Sequence, residues 1–148
     1  MSADLRLNAL NHWVTTHAAG RAFTLSPASA DASFRRYFRL EYADTRATQI
    51  VMDAPPDKED CQAFVKVAHL MAQAGLNAPR ILKWDEPQGF MLLTDLGQRT
   101  MMQSMDVDAG TANLPWFKQA LDVLLPWQSA SQAHVLPSYD EAVLQREL

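Results

Sequence analysis

Arg35, Arg36 and Arg39 lie within five residues of one another, just after a small, polar stretch from Ser26 to Ser33. A guanidinium fork matches the oxygens of phosphate or carboxylate, so such a cluster beside a loop could hold an anionic ligand. The same pattern fits a solvated strand face or structural ion pairs. Asp53, at the end of Ile50-Val-Met-Asp53, could act through a metal or a water. It equally fits a strand-end carboxylate that caps the turn before Pro55 and Pro56. The histidines, His12, His17, His69 and His134, stand in no His-x-Asp or metal-ligand pattern. His12 and His17 are five apart, which takes them off a shared helix face. Asp106 and Asp108 are too sparse a pair to define a metal site, and no serine has the partners of a hydrolase triad. No catalytic residue and no metal ligand is assigned in the chain.

The elements that must position these groups fit a single globular chain. It has 148 residues, 48% hydrophobic and 20% charged, with net charge −4. That balance supports a real core and gives no basic excess for nucleic acid. The lone Cys61 excludes an intrachain disulfide and fits a reducing compartment. No apolar run approaches the ~20 residues of a membrane helix, and the N-terminus lacks an apolar signal core. A soluble, cytoplasmic protein without membrane partners is expected.

Apolar spacing predicts a helix over 3–19, capped by Ser2, with Leu5, Leu10, Trp13, Val14 and His17 on one face and Gly20 as its stop. Strands are predicted at Phe23–Leu25, Arg36–Tyr42 and Thr48–Asp53, with 26–33 as a loop. In the second, Phe38, Leu40 and Tyr42 share one face and Tyr37, Arg39 and Glu41 the other. A helix over 57–74 is predicted, capped by Asp57, with Glu59 and Asp60 in its first turn and an apolar stripe from Cys61 to Ala72. Two further strands, Arg80–Trp84 and Gly89–Thr94, flank the turn Asp85–Gln88. Helices follow at 100–105, 114–132 (kinked by Pro126) and 139–148. The last ends without a cap, which reads as a truncated chain with an exposed apolar face and a tendency to self-associate.

Four segments, Ala32-Ser-Phe-Arg-Arg-Tyr-Phe-Arg39, Val51-Met-Asp-Ala-Pro-Pro56, Gly75-Leu-Asn-Ala-Pro-Arg-Ile81 and Leu92-Leu-Thr-Asp-Leu-Gly97, together resemble the aminoglycoside phosphotransferase-like kinases. They look most like the bacterial cell-wall-recycling sugar kinases, which phosphorylate N-acetylmuramate or N-acetylglucosamine at the anomeric hydroxyl. The resemblance covers roughly residues 20–148. It implies an α+β fold: a protein-kinase-like N-terminal lobe over 1–97, with a five-stranded antiparallel sheet and one packed helix. The opening helices of a C-terminal lobe would follow over 98–148.

It further implies ATP as cofactor. Asp31, Ala32, Ser33 and Phe34 would cover its phosphates, Met52 would sit on the nucleotide strand, and Thr94, Asp95 and Leu96 would form the hinge at the adenine edge. The Lys–Glu pair usual in this superfold is missing: the third strand has no Lys, and Phe64 stands where the Glu is expected. The family's His-x-Asp loop is also missing, so the base and the Mg²⁺ ligands are expected beyond these residues, and the chain alone should turn over essentially nothing. The expected partners are ATP and an amino sugar. A non-catalytic nucleotide-binding or interaction module, and an aminoglycoside or amino-alcohol kinase, are the competing readings.

Overall fold

The computed structural model describes residues 4–30, 33–106, 108–132, 134–135 and 138–147. The chain divides into two compact units, Met1–Cys61 with Pro79–Gly97, and Gln62–Ala78 with Gln98–Leu148.

The first unit is built on an antiparallel sheet of five strands: β1 (Phe23–Ala30), β2 (Arg36–Tyr42), β3 (Thr48–Asp53), β4 (Ile81–Asp85) and β5 (Phe90–Thr94). Their spatial order is β1-β2-β3-β5-β4, which places β3 at the centre. The expected alternation in β2 holds. Leu40 and Tyr42 are buried, and their face continues through Val51, Phe90 and Leu92 into one core. Helix α1 (Leu5–His17) covers that face with Leu10, Trp13 and Val14. Burying each of these side chains stabilises the fold by about 2 kcal/mol. Asp4 caps α1 by accepting the Leu7 N–H at 3.0 Å. The expected cap, Ser2, lies outside the described residues. Leu5, expected on the buried stripe, is 80% exposed; the inward face runs from Leu7 to Ala18.

β1 is five residues longer than its apolar start predicts. Residues 26–30 have little strand propensity of their own, but β2 offers them a ladder, and pairing continues to Ala30↔Arg36 across an irregularity between Pro27 and Ser29. β1 therefore runs to Ala30, and β2 starts at Arg36.

Helix α2 (Cys61–Gln73), which belongs to the second unit from Gln62 on, starts four residues later than predicted. The Pro55 carbonyl accepts the Lys58 and Glu59 N–H groups at 2.9 Å, which makes a turn where the first helical turn was expected. Cys61 and Leu70 are its buried apolar residues. Helix α3 (Met101–Ser104) begins with a capping box between Thr100 and Gln103. A 3₁₀ turn, Gly110–Asn113, then leads into α4 (Leu114–Ala130), which contains Pro126, and α5 (Glu141–Glu147) follows. Among the described residues, no helix is long and apolar enough to cross a membrane.

Candidate functional site

The sheet face opposite α1 carries Tyr37, Arg39, Ile50, Met52, Met91 and Leu93, by the alternation of paired strands. Met52, Met91 and Leu93 are buried there, and Met52 pairs across the strands with Tyr37 and Met91. Asp53 points the other way. Fully buried on the α1 face, it accepts from Arg6 Nε at 2.7 Å and from Arg36 Nη2 at 2.6 Å and Nε at 2.9 Å. Arg36 also pairs with Asp4, and Arg6 donates to the Gln88 carbonyl at 2.7 Å. Asp53 is thus a structural anchor that ties α1 to the starts of β2 and β5, and its oxygens are already shared between two guanidiniums.

The loop before β2 is held from the segment preceding α2. Glu59 accepts the Phe34 N–H at 2.9 Å and pairs with Arg35 at 3.0 Å. Ser33 accepts the Arg35 N–H, and Lys58 sits 5.8 Å over the Phe34 ring. Phe34 is 63% exposed. An open, mostly apolar cleft of about 440 Å³ lies beside it, lined in part by Pro27, Ser33, Phe34, Tyr37 and Phe38. Asp31 and Ala32 lie outside the described residues. Glu59, expected to serve the helix dipole, instead fixes this loop.

The other cluster forms where β5 leaves the sheet. Thr94 exchanges bonds with Arg80, its N–H to the Arg80 carbonyl at 3.0 Å and its hydroxyl accepting the Arg80 N–H at 2.9 Å. Asp95 accepts from Arg39 Nε at 2.6 Å and from the Gly97 N–H at 2.8 Å. Arg39, Gly97 and Thr48 hold its carboxyl down to about 2, Arg39 contributing most. Arg39 is raised in turn, by Asp95. Leu96 is 54% exposed. Met52 is not part of this cluster. It lies three ladder positions from the Gln49↔Thr94 pair, about 10 Å along the strands. All three arginines singled out in the sequence therefore make ion pairs, each with a different carboxylate cluster.

His12 and His69 are exposed, and the His17 ring packs against Trp13 at a 45° tilt, 4.6 Å between centroids, and donates from Nδ1 to the Trp13 carbonyl. Among the described residues, no group of three or more His, Cys, Asp and Glu could hold a metal ion.

A five-stranded antiparallel sheet with helices is the α+β arrangement of a kinase-like N-terminal lobe. Residues 24–147 match the phosphotransferase enzyme family, and the chain belongs to that family. It is 48% identical over 158 residues to a Pseudomonas aeruginosa protein named N-acetylmuramate/N-acetylglucosamine kinase, an alignment that takes in all of this chain and 45% of the relative. Proteins of the same name from Pseudomonas putida and Neisseria meningitidis serogroup B are each 39% identical, over 98% and 94% of this chain and 44% and 41% of their own lengths. The chain thus spans under half the length of these relatives. No solved structure gives a significant match.

Proposed function

We propose that this chain is the nucleotide-holding part of an ATP-dependent kinase that phosphorylates N-acetylmuramate or N-acetylglucosamine at the anomeric hydroxyl. The observation that carries this reading is the match along the whole chain to relatives bearing that name. The structure is compatible with ATP. A buried apolar face (Met52, Met91, Leu93) runs toward the Thr94–Leu96 turn, and Ser33 and Phe34, of the loop expected to cover phosphates, line an open cleft. ATP would supply the γ-phosphoryl group; this chain's residues would orient the base and shield the phosphates. Among the described residues, no group of three or more His, Cys, Asp and Glu could hold a metal ion. We place the Mg²⁺ ligands, and the catalytic base, in the part of the relatives that this chain does not cover.

Titration calorimetry of the 148-residue chain with ATP and Mg²⁺ tests the reading. Saturable binding is expected; no heat at millimolar ATP would sink it. A non-catalytic nucleotide-binding module is the second reading, favoured by the absence of a Lys from β3 and of any His-x-Asp in the sequence. Phosphorylation of N-acetylmuramate by the chain would exclude it. Self-association is also proposed, because α4 exposes Leu114, Phe117, Leu121 and Leu125 along one face. Sedimentation should show a concentration-dependent mass.

A further inference from the structure

The turn after β5 is tied to β2 through Arg39, with Thr48 of β3 bonding the same Asp95 carboxylate. In the ladder Arg39 faces Ile50, and Ile50 faces Leu93, so Arg39 reaches across β3 to a carboxylate two residues beyond its own row. Its fork takes both Asp95 oxygens, at 2.6 and 3.2 Å, and the Gly97 carbonyl at 3.0 Å. Asp95 closes the other side of the turn by accepting the Gly97 N–H. Gly97 has φ +101°, a conformation strained for other residues, so the turn is narrowly specified. The Arg39 and Asp95 side chains are only 16% and 5% exposed, and a pair this desolvated is held by geometry as well as charge. These bonds occupy the polar groups of Gly97 and leave the Asp95–Leu96 peptide outside the set.

We propose that Arg39 is a positioning residue for the nucleobase: by clamping Asp95 and Gly97 it sets the Asp95–Leu96 peptide to meet a purine edge before the ligand arrives. The assignment rests on the nucleotide-lobe reading above. It predicts that Arg39 governs affinity for the base and not for the phosphates. Preorganised donors and acceptors lose affinity steeply when their geometry relaxes.

The test compares ATP with inorganic tripolyphosphate, which carries the phosphates and no base, on the 148-residue chain. Arg39→Gln should weaken ATP by roughly tenfold and leave tripolyphosphate within about twofold. Arg39→Lys, which keeps the charge and loses the fork, should not restore ATP affinity. Arg21→Gln serves as the control, since it breaks an exposed fork to Asp44 in the β2–β3 turn and should change neither ligand. If Arg39→Gln weakens both ligands equally, or if Arg39→Lys restores ATP binding, the role is structural and the assignment is overturned. Absence of ATP binding by the unsubstituted chain would overturn the nucleotide reading first, and this assignment with it. Where Arg39→Gln does not fold, Asp95→Asn with amide exchange decides. The Gly97 N–H should lose protection while β2–β3 amides keep theirs, and unchanged Gly97 protection would overturn the clamp.

Discussion

At the scale of residues, the carboxylates of the first unit serve as anchors. Asp53 is fully buried and neutralises Arg6 and Arg36 together. Asp53→Ala would leave two guanidiniums facing a void. Stability should fall by about 3 kcal/mol, the low end for breaking a buried pair, because both arginines keep some access to water. Urea unfolding midpoints measure this; a change under about 0.5 kcal/mol would refute the anchoring role. Arg6→Ala should cost less, since Arg36 still pairs with Asp53. Asp95 adds a pH dependence of definite sign. Its carboxyl lies at about 2 in the folded chain against an ordinary 3.8. A depressed carboxyl stabilises fully above the unfolded value and loses that contribution as pH falls toward the folded one. The shift corresponds to roughly 2 kcal/mol. The stability difference between the unsubstituted chain and Asp95→Asn should be flat from pH 5 to 8 and shrink below pH 4. A difference that stayed constant down to pH 3 would mean that Arg39 does not hold the folded carboxyl down.

At the scale of elements, the β4–β5 turn shows how little freedom the sheet leaves. Gly89 has φ +69°, and a Cβ there would lie 1.9 Å from the Ala54 carbonyl oxygen, whose own N–H donates to the Gly89 carbonyl at 2.9 Å. Gly75 has a similar φ, +72°, but open space around it. Gly75→Ala should cost about 1 kcal/mol, the left-handed strain alone. Gly89→Ala should cost at least about 3 kcal/mol, because backbone must move as well. Thermal melts of the two variants should differ clearly, and equal melting temperatures would show that the Ala54 contact yields freely. This turn was legible in the sequence, as were the element order and the faces of β2, because period-2 alternation and Gly/Pro punctuation are local signals. The length of β1 was not, since Pro27 and its small neighbours gain their strand conformation from β2 and not from propensity. Nor was the start of α2, which the Pro55 carbonyl delays. The Arg39–Asp95 clamp spans 56 positions and three strands. Without the register, Arg39 could equally be a ligand contact or an ion-pair partner, and the reading of the turn after β5 as a hinge rests on family resemblance.

At the scale of the whole molecule, the proposed reading puts nucleotide binding in this chain and phosphoryl transfer in the part of its relatives that the chain does not cover. Phosphoryl transfer depends on a positioned acceptor hydroxyl, a carboxylate to orient it and cations to neutralise developing charge. The acids nearest the candidate site are already engaged: Asp53 with Arg6 and Arg36, Glu59 with Arg35, Asp95 with Arg39. Freeing any of them would leave an arginine without a carboxylate partner and loosen the first unit. No His in the sequence is followed two residues later by Asp. Binding and turnover should therefore separate in this chain. With N-acetylmuramate, ATP and Mg²⁺, a coupled ADP assay should read no rate above buffer, while calorimetry still detects ATP. Removing Mg²⁺ with chelator should weaken ATP only modestly, since the described residues offer the metal no cluster of ligands and its effect falls on the nucleotide's own charge. A measurable rate, or complete loss of ATP binding on chelation, would show that this chain brings a base or a metal ligand to the phosphates through groups other than those paired here.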